Sequence, residues 1–265
     1  MSAEGEGLAA ALLRRIRAGE PVYGIFLGMG SPVAAEIASR AGFDWVILDL
    51  EHGAGGEADL LGLLHATAAG GSTAPLVRVE SAARLRMGRA LDLGAAGIML
   101  PRVDTADEAR AALRCLRYPP DGDRGVALMA RAGGYGTLSH AGVAGINRTV
   151  LGIVQIESAQ AVDEAAAIAS EDGADVLFVG PTDLTHSLGI PGEFEDRRYV
   201  EALDRVVAAC EAAGKAAGIL GRSVEETRGY VERGFRFVAV GSDAALFSAG
   251  MRRLVSELHA GAAAV

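Results

Sequence analysis

The chain has 265 residues, half of them hydrophobic, which is enough for one large core and predicts a single domain over residues 1–265. Its formal net charge of −9 argues against nucleic acids and anionic membrane surfaces as partners, because the averaged surface field would repel both. No stretch approaches the roughly 20 uninterrupted apolar residues that span a bilayer, and the first residues lack a secretion-signal pattern. These features predict a soluble cytoplasmic protein.

In chain order, residues 1–20 have the pattern of an amphipathic helix, and a short unit then recurs along the chain. In this unit an Ala-rich helical stretch ends at a glycine, such as Gly42 or Gly234, and a β-branched apolar run follows within a few residues. Glycine suits a left-handed helix C-cap, and a continuous apolar run suits a strand buried on both faces. Each unit therefore predicts a helix that leads into a parallel strand.

Eight apolar runs qualify as strands, which is the number found in a (β/α)8 TIM barrel. They cover residues 22–29, 45–51, 75–80, 97–103, 151–157, 175–180, 216–220 and 237–241. A doubly wound open sheet is the competing α/β architecture, but residues 28–32 match its glycine-rich phosphate turn poorly. The long interruption at 118–148 is typical of a lid or a subunit contact.

Acidic residues end two neighbouring predicted strands. Active sites of such barrels lie at the carboxyl ends of the strands, and parallel strands lie about 4.8 Å apart, so Glu157 and Asp183 are candidates to share one cation. Carboxylates with open positions suit Mg²⁺ or Mn²⁺, with Co²⁺ as a further candidate, whereas no Cys/His cluster suggests zinc and no organic cofactor is expected. The alternative is that either acid pairs with an arginine.

Two further strand ends carry candidate catalytic side chains. Arg78 lies inside an apolar run, where a guanidinium needs a partner: either Glu80 on the same face of the strand, or an anionic substrate whose enolate oxygen it would neutralise. His52 is a candidate acid/base, with Asp49 placed to orient its ring. The only lysine, Lys215, precedes the seventh strand at the opposite barrel end, which argues against a Schiff-base aldolase.

With these residues in place, the sequence resembles the HpcH/HpaI aldolases, also called the hydroxy-oxo-heptanedioate or 2-dehydro-3-deoxyglucarate aldolase family of class II pyruvate aldolases. The resemblance covers most of the chain through five spaced motifs. They are residues 42–45 leading to 49–52, residues 75–78, residues 117–120 with 124–125, residues 154–157, and residues 178–184. Several motifs in the right order are more specific than any single one.

The resemblance implies a barrel enzyme whose divalent metal is held by Glu157 and Asp183 and chelated by pyruvate or a related 2-oxo acid. By the same resemblance His52 is the acid/base, Arg78 stabilises the pyruvate enolate, and Gln155 lies beside the metal. The implied partners are therefore a small 2-oxo acid and an aldehyde.

The resemblance extends to substrate contacts and to assembly. Backbone amides near Thr182 and Asp183 are implied to bind the substrate carboxylate, and Leu220, at the end of the seventh strand, is expected to contact the substrate. Asp92 matches a family position near the active site that reaches a neighbouring subunit. The family is typically hexameric and built from dimers that exchange the C-terminal helix, which here is predicted over residues 243–258.

The predicted reaction is retro-aldol cleavage of a 4-hydroxy-2-oxo acid, with His52 or a metal-bound water that it assists as the base. An oxaloacetate decarboxylase or another pyruvate-enolate enzyme remains an alternative, because the enolate machinery is shared. A phosphate-binding barrel isomerase, suggested by Gly221 and Gly241, and a non-catalytic metabolite-binding barrel are more distant alternatives. Leu50 and residues 133–136 depart from relatives where the aldehyde half is expected to bind.

Overall fold

Eight parallel strands form a closed barrel in which every strand pairs with its neighbours in chain order. The computed structural model describes residues 7–262. The strands are β1 Val22–Leu27, β2 Trp45–Asp49, β3 Ala74–Arg78, β4 Gly97–Leu100, β5 Leu151–Ile156, β6 Val176–Val179, β7 Ala216–Gly221 and β8 Phe237–Ser242. The (β/α)8 prediction is confirmed, and the open sheet is wrong because β1 also pairs with β8.

Helices surround the barrel and return the chain to its N-terminal end after each strand. They are α1 Leu8–Arg17, α2 Pro32–Arg40, α3 Glu57–Gly70, α4 Arg84–Asp92, α5 Ala106–Arg114, α6 Val143–Ile146, α7 Ala159–Asp163, α8 Ala165–Ala169, α9 Pro181–Ser187, α10 Arg197–Ala213, α11 Val224–Arg233 and α12 Asp243–Ala262. Gly42 and Gly234 have φ angles of 93° and 116°, as helix-ending glycines require. No helix within residues 7–262 combines the length and apolar character needed to cross a membrane.

The long segment between α5 and β5 contains little regular structure. It holds two short 3-10 turns, Arg131–Gly136 and His140–Gly142, followed by α6.

The predicted N-terminal helix is confirmed as α1, and residues 1–6 of that prediction lie outside the described residues. Buried apolar side chains form one layer between the barrel and its helices and a second layer inside the barrel.

Inside the barrel, an aromatic stack depends on one glycine. The rings of Trp45 and Phe237 are parallel, with centroids 4.0 Å apart. Gly24 lies beside Trp45 in the β1–β2 register, and a Cβ atom at Gly24 would lie 2.1 Å from the indole ring. The barrel interior therefore admits the large ring only because its neighbour has no side chain.

We predict that Gly24→Ala lowers the free energy of unfolding by about 2 kcal/mol or more, because the buried indole has to move out of a packed interior. The measurement is denaturant unfolding. The matched control is Gly229→Ala in α11, where a Cβ atom meets nothing within 4 Å and alanine is expected to stabilise by roughly 0.5–1 kcal/mol. Equal stability of the two variants would contradict this packing account.

Candidate active site

A polar cavity of about 260 Å³ lies at the carboxyl ends of the barrel strands. Its lining residues follow β2, β4, β5 and β6, and they are Glu51, His52, Arg102, Asp104, Glu157, Ser158, Asp183 and Ser187. Four of these eight side chains are carboxylic acids. The cavity therefore lies on the face where the active sites of such barrels are found, and its lining is strongly acidic.

Glu157 directly follows β5 and is held there by two hydrogen bonds. Its Oε1 accepts from the backbone N–H of Arg102 at 2.8 Å, and its Oε2 accepts from Gln155 Nε2 at 2.5 Å. Gly180, after the neighbouring β6, lies against this pair, and a Cβ there would approach the Glu157 side chain to 3.2 Å. Asp183 lies one turn further on, in α9. The two predicted metal ligands thus line one cavity.

Burial raises the pKa of the Glu157 carboxyl above its ordinary value, and the negative charges of Asp183 and Glu51 raise it further. The Arg102 N–H and the charge of Arg78 act in the opposite direction. A buried carboxylate whose near neighbours are also acids is destabilised by desolvation and like-charge repulsion. The cavity is therefore suited to a positively charged ligand.

Arg78, the last residue of β3, is held by ion pairs with two acids at the end of β2. Its Nε and NH2 donate to the two oxygens of Asp49 at 2.8 and 2.6 Å, and its NH1 lies 3.1 Å from Glu51 Oε2. Burial alone would lower the pKa of the guanidinium, but these acids outweigh it and raise the pKa. Arg78 lies behind Glu51, outside the cavity lining.

The alternative that Arg78 pairs with Glu80 is wrong. Glu80 instead forms an ion pair with Arg86 of α4, in which Arg86 Nε lies 2.8 Å from Glu80 Oε1. The physical reason is that β3 ends at Arg78, so the alternation of a strand does not extend to residue 80. Asp49 pairs with Arg78 because the β2–β3 register places the two residues side by side.

The predicted orientation of His52 by Asp49 is also wrong. The chain turns immediately after β2, and Asp49 Oδ1 accepts the backbone N–H groups of Glu51 and His52 at 3.1 and 3.3 Å. Its oxygens are also engaged by Arg78, and within residues 7–262 no hydrogen bond or ion pair joins Asp49 to the imidazole. The ring is two-thirds exposed, and its Nε2 lies 3.8 Å from Glu51 Oε2. The acid/base role of His52 stays a prediction.

Three predicted substrate or metal neighbours are not among the residues that line the cavity. Gln155 is buried on β5, and its Oε1 has no hydrogen-bond partner within the described part of the chain. Thr182 is exposed in the first turn of α9, where backbone N–H groups have no partner within the helix. Leu220 is half-buried on β7 and packs against the layer inside the barrel.

Asp92 is not brought to the cavity of its own chain. It ends α4, which begins on the cavity side and runs back toward the N-terminal ends of the strands. There its Oδ1 accepts from NH2 of Arg124 at 2.8 Å, and the buried guanidinium also lies 4.4 Å from the Tyr118 ring centroid. Asp92 therefore has no catalytic position in the cavity of its own chain. Its predicted position at the cavity of a neighbouring subunit stays a prediction.

The residues expected to bind the aldehyde half of the substrate also lie away from the cavity. Leu50 packs in the layer between the barrel and its helices, because the turn after Asp49 directs it away from the cavity. Residues 133–136 belong to a turn whose first residue, Arg131, donates to the carbonyl of Leu93 just before β4. Within one chain, neither segment contacts the acidic cavity.

Sequence reasoning assigned no role to Arg102, Asp104, Ser158 and Ser187. Arg102 adopts a φ of 54°, a left-handed conformation that costs a non-glycine residue about 1–2 kcal/mol. That conformation accompanies the N–H bond to Glu157, and Ser158 Oγ donates to Asp104 at 2.5 Å beside it. The end of the fourth apolar run was the signal that could have located Arg102.

Comparison with known proteins identifies the family. The family model described as HpcH/HpaI aldolase/citrate lyase matches residues 22–249. A hydroxypyruvate/pyruvate aldolase from Paraburkholderia phytofirmans is 38% identical over 253 residues, covering 94% of this chain and 97% of the relative. A 5-keto-4-deoxy-D-glucarate aldolase from Salmonella arizonae is 38% identical over 231 residues, covering 87% and 90%.

A solved structure shows the same architecture. The crystal structure of an HpcH/HpaI aldolase/citrate lyase family protein from Burkholderia cenocepacia superposes with a TM-score of 0.90 at 39% identity, and the match covers 94% of this chain and 99% of that one. The barrel, the acidic cavity and the match over residues 22–249 agree, and the names of the relatives support an aldolase. The chain belongs to the HpcH/HpaI aldolase/citrate lyase family.

Proposed function

We propose that this protein is a divalent-metal-dependent aldolase that reversibly cleaves a 4-hydroxy-2-oxo acid into pyruvate, or a related 2-oxo acid, and an aldehyde. The observation that carries the proposal is the cavity in which Glu157, Asp183 and Glu51 crowd one another next to His52. The relatives named as hydroxypyruvate/pyruvate and 5-keto-4-deoxy-D-glucarate aldolases support the reaction class.

The donor set of the cavity fits Mg²⁺ or Mn²⁺. Within residues 7–262, no three His, Cys, Asp or Glu side chains are arranged to hold a metal by themselves. Magnesium commonly binds one or two carboxylates and completes its shell with water and substrate oxygens, which Glu157 and Asp183 would permit. Burial, and then the charges of Asp183 and Glu51, raise the pKa of Glu157, and a divalent cation would offset this cost. When bound, the metal would act as a Lewis acid on the 2-oxo acid.

The side chains of the protein would perform the remaining steps. His52 accepts the proton of the 4-hydroxyl group, and C4 becomes the aldehyde carbonyl as the C3–C4 bond breaks. The electron pair of that bond forms the enolate of the 2-oxo acid. Arg78, fixed by Asp49 and Glu51 outside the cavity lining, stabilises the negative charge on the enolate oxygen through its own positive charge, without a direct hydrogen bond and without reorganising. A proton from solvent adds to C3 and releases the 2-oxo acid, and His52 returns its proton to solvent.

We expect the purified protein to release pyruvate from at least one of a panel of 4-hydroxy-2-oxo acids when Mg²⁺ or Mn²⁺ is present. EDTA should abolish the release, and added metal should restore it, because Glu157 and Asp183 alone leave the keto group unpolarised. The measurement is pyruvate release coupled to lactate dehydrogenase. Full release by thoroughly demetallated protein would refute the metal-dependent mechanism. Release from oxaloacetate alone would indicate a decarboxylase.

A matched pair of variants in the same assay tests the role of Arg78. Arg78→Lys keeps the charge but loses the two-pronged contact with Asp49, so turnover should fall roughly 100-fold or more. Arg86→Lys makes the same exchange at a half-exposed arginine outside the cavity and should leave turnover within about twofold. Circular dichroism checks that both fold. Equal turnover of the two variants would remove Arg78 from the mechanism.

We further propose that the protein assembles through α12, as expected from the predicted exchange of this helix in a hexamer. Exposed apolar side chains occupy α12 at Leu246, Phe247, Met251, Leu254, Val255 and Leu258. Each of these six side chains is more than half exposed within one chain. An apolar surface of this extent on a monomer is typical of a protein–protein interface.

We predict that the double substitution Leu254→Glu with Leu258→Glu reduces the assembly to a smaller species, because two charges would have to be buried in an apolar contact. The measurement is light scattering after size-exclusion chromatography. Arg253→Glu with Glu257→Arg, on the same helix, exchanges the partners of an exposed ion pair and serves as the control that should keep the parent mass. A parent protein that runs as a monomer at micromolar concentration would contradict the proposal.

A further inference from the structure

Arg102 offers the cavity a guanidinium that no other group within the described part of the chain holds. The residue follows β4, lines the cavity and is exposed. Its backbone N–H is bonded to Glu157 Oε1, which fixes the start of its side chain beside the proposed metal ligand. Within residues 7–262, neither a hydrogen bond nor an ion pair engages the side chain, although acids are plentiful around it.

The other charged groups of the cavity cannot replace it as a binding site for an anion. Four of the lining residues are acids, and the nearby guanidinium of Arg78 is already engaged by Asp49 and Glu51. His52 carries a full charge only when it is protonated. Among the described lining residues, Arg102 is therefore the permanent cation whose donors are available to a ligand.

The two ends of the substrate would meet different parts of the cavity. In the proposed reaction, the 2-oxo acid half lies at Glu157 and Asp183, which follow β5 and β6. Arg102 follows β4, which flanks β5 on the side away from β6 and Asp183. Its backbone contacts Glu157 from that side, and its exposed side chain lies at the rim of the cavity. A group of the substrate that reaches Arg102 therefore belongs to the other half, which leaves as the aldehyde.

We propose that Arg102 is a specificity-determining residue that favours aldehydes bearing a negatively charged group, a carboxylate or a phosphate, over neutral aldehydes. This inference rests on the proposed aldolase function. A guanidinium binds both anions through paired, charge-assisted hydrogen bonds, which are roughly twice as strong as neutral ones. The contact is exposed to solvent, so the preference weakens as the salt concentration rises.

The test uses aldol addition of pyruvate to aldehydes that differ mainly in charge, with Mg²⁺ present throughout. Glyoxylate carries a carboxylate, glycolaldehyde phosphate carries a phosphate, and glycolaldehyde is neutral. The quantity measured is the ratio of kcat/KM for each anionic aldehyde to that for glycolaldehyde. In Arg102→Met this ratio should fall roughly tenfold for at least one anion, mainly through a higher KM for the aldehyde.

Three further variants separate charge from structure. Arg102→Lys keeps a positive charge and should retain part of the preference. Arg102→Gly removes the side chain while suiting the φ of 54°, so the N–H bond to Glu157 persists and the ratio should fall as in Arg102→Met. Arg148→Met removes an exposed arginine just before β5, at the opposite barrel end, and should leave the ratio unchanged.

The outcomes distinguish this inference from the function on which it rests. Pyruvate consumption with an unchanged ratio in both Arg102→Met and Arg102→Gly overturns the role of Arg102 and leaves the aldolase proposal standing. No consumption with any aldehyde overturns the aldolase proposal and this inference together. A fall confined to glyoxylate or to glycolaldehyde phosphate supports the inference and assigns the anion as a carboxylate or a phosphate.

Discussion

The site depends on one arrangement of charge, in which the Glu157 carboxylate is held beside other acids at the carboxyl end of the barrel. Two N–H donors, the backbone of Arg102 and the amide of Gln155, fix its oxygens, while burial, and then the charges of Asp183 and Glu51, raise its pKa. A fold gains no stability from crowding acids in a partly buried cavity. Such an arrangement is typical of a functional site, where a cation or a charged substrate supplies what the chain lacks.

A second set of charges lies beside this cavity. Arg78 joins the ends of β2 and β3 through Asp49 and Glu51, so one guanidinium bridges two acids, one of which lines the cavity, and a net negative charge remains. The pair is fixed by strand register rather than by flexible loops, which gives the positive charge a defined position. In the proposed mechanism this preorganisation lets Arg78 stabilise an enolate without first rearranging.

Much of the fold was predictable from the sequence because it depends on local patterns. Apolar runs marked all eight strands, and glycines such as Gly42 and Gly234 marked the helix ends that lead into them. The rule that barrel sites lie at strand ends then placed His52, Glu157 and Asp183 at one cavity.

The remaining features depend on contacts between distant segments, which periodicity does not encode. The partner of Arg78 follows from the β2–β3 register, and the partner of Asp92 lies 32 residues away in the long segment after α5. The positive φ of Arg102 has no signal in its residue type, because arginine rarely adopts it. Sequence reasoning therefore located the cavity but assigned Asp49 to the wrong side-chain contact, and it did not predict the bond between Asp92 and Arg124.

The most direct test of the account is a titration of metal-free protein with Mn²⁺, followed by electron paramagnetic resonance of the free ion. The account predicts one site per chain that weakens at least roughly tenfold in Glu157→Gln and in Asp183→Asn, which remove ligand charge. Glu80→Gln, at an acid that is paired with Arg86 outside the cavity, should bind like the parent protein. Equal affinity of the Glu157 and Asp183 variants with the parent, or no binding by the parent, would contradict it.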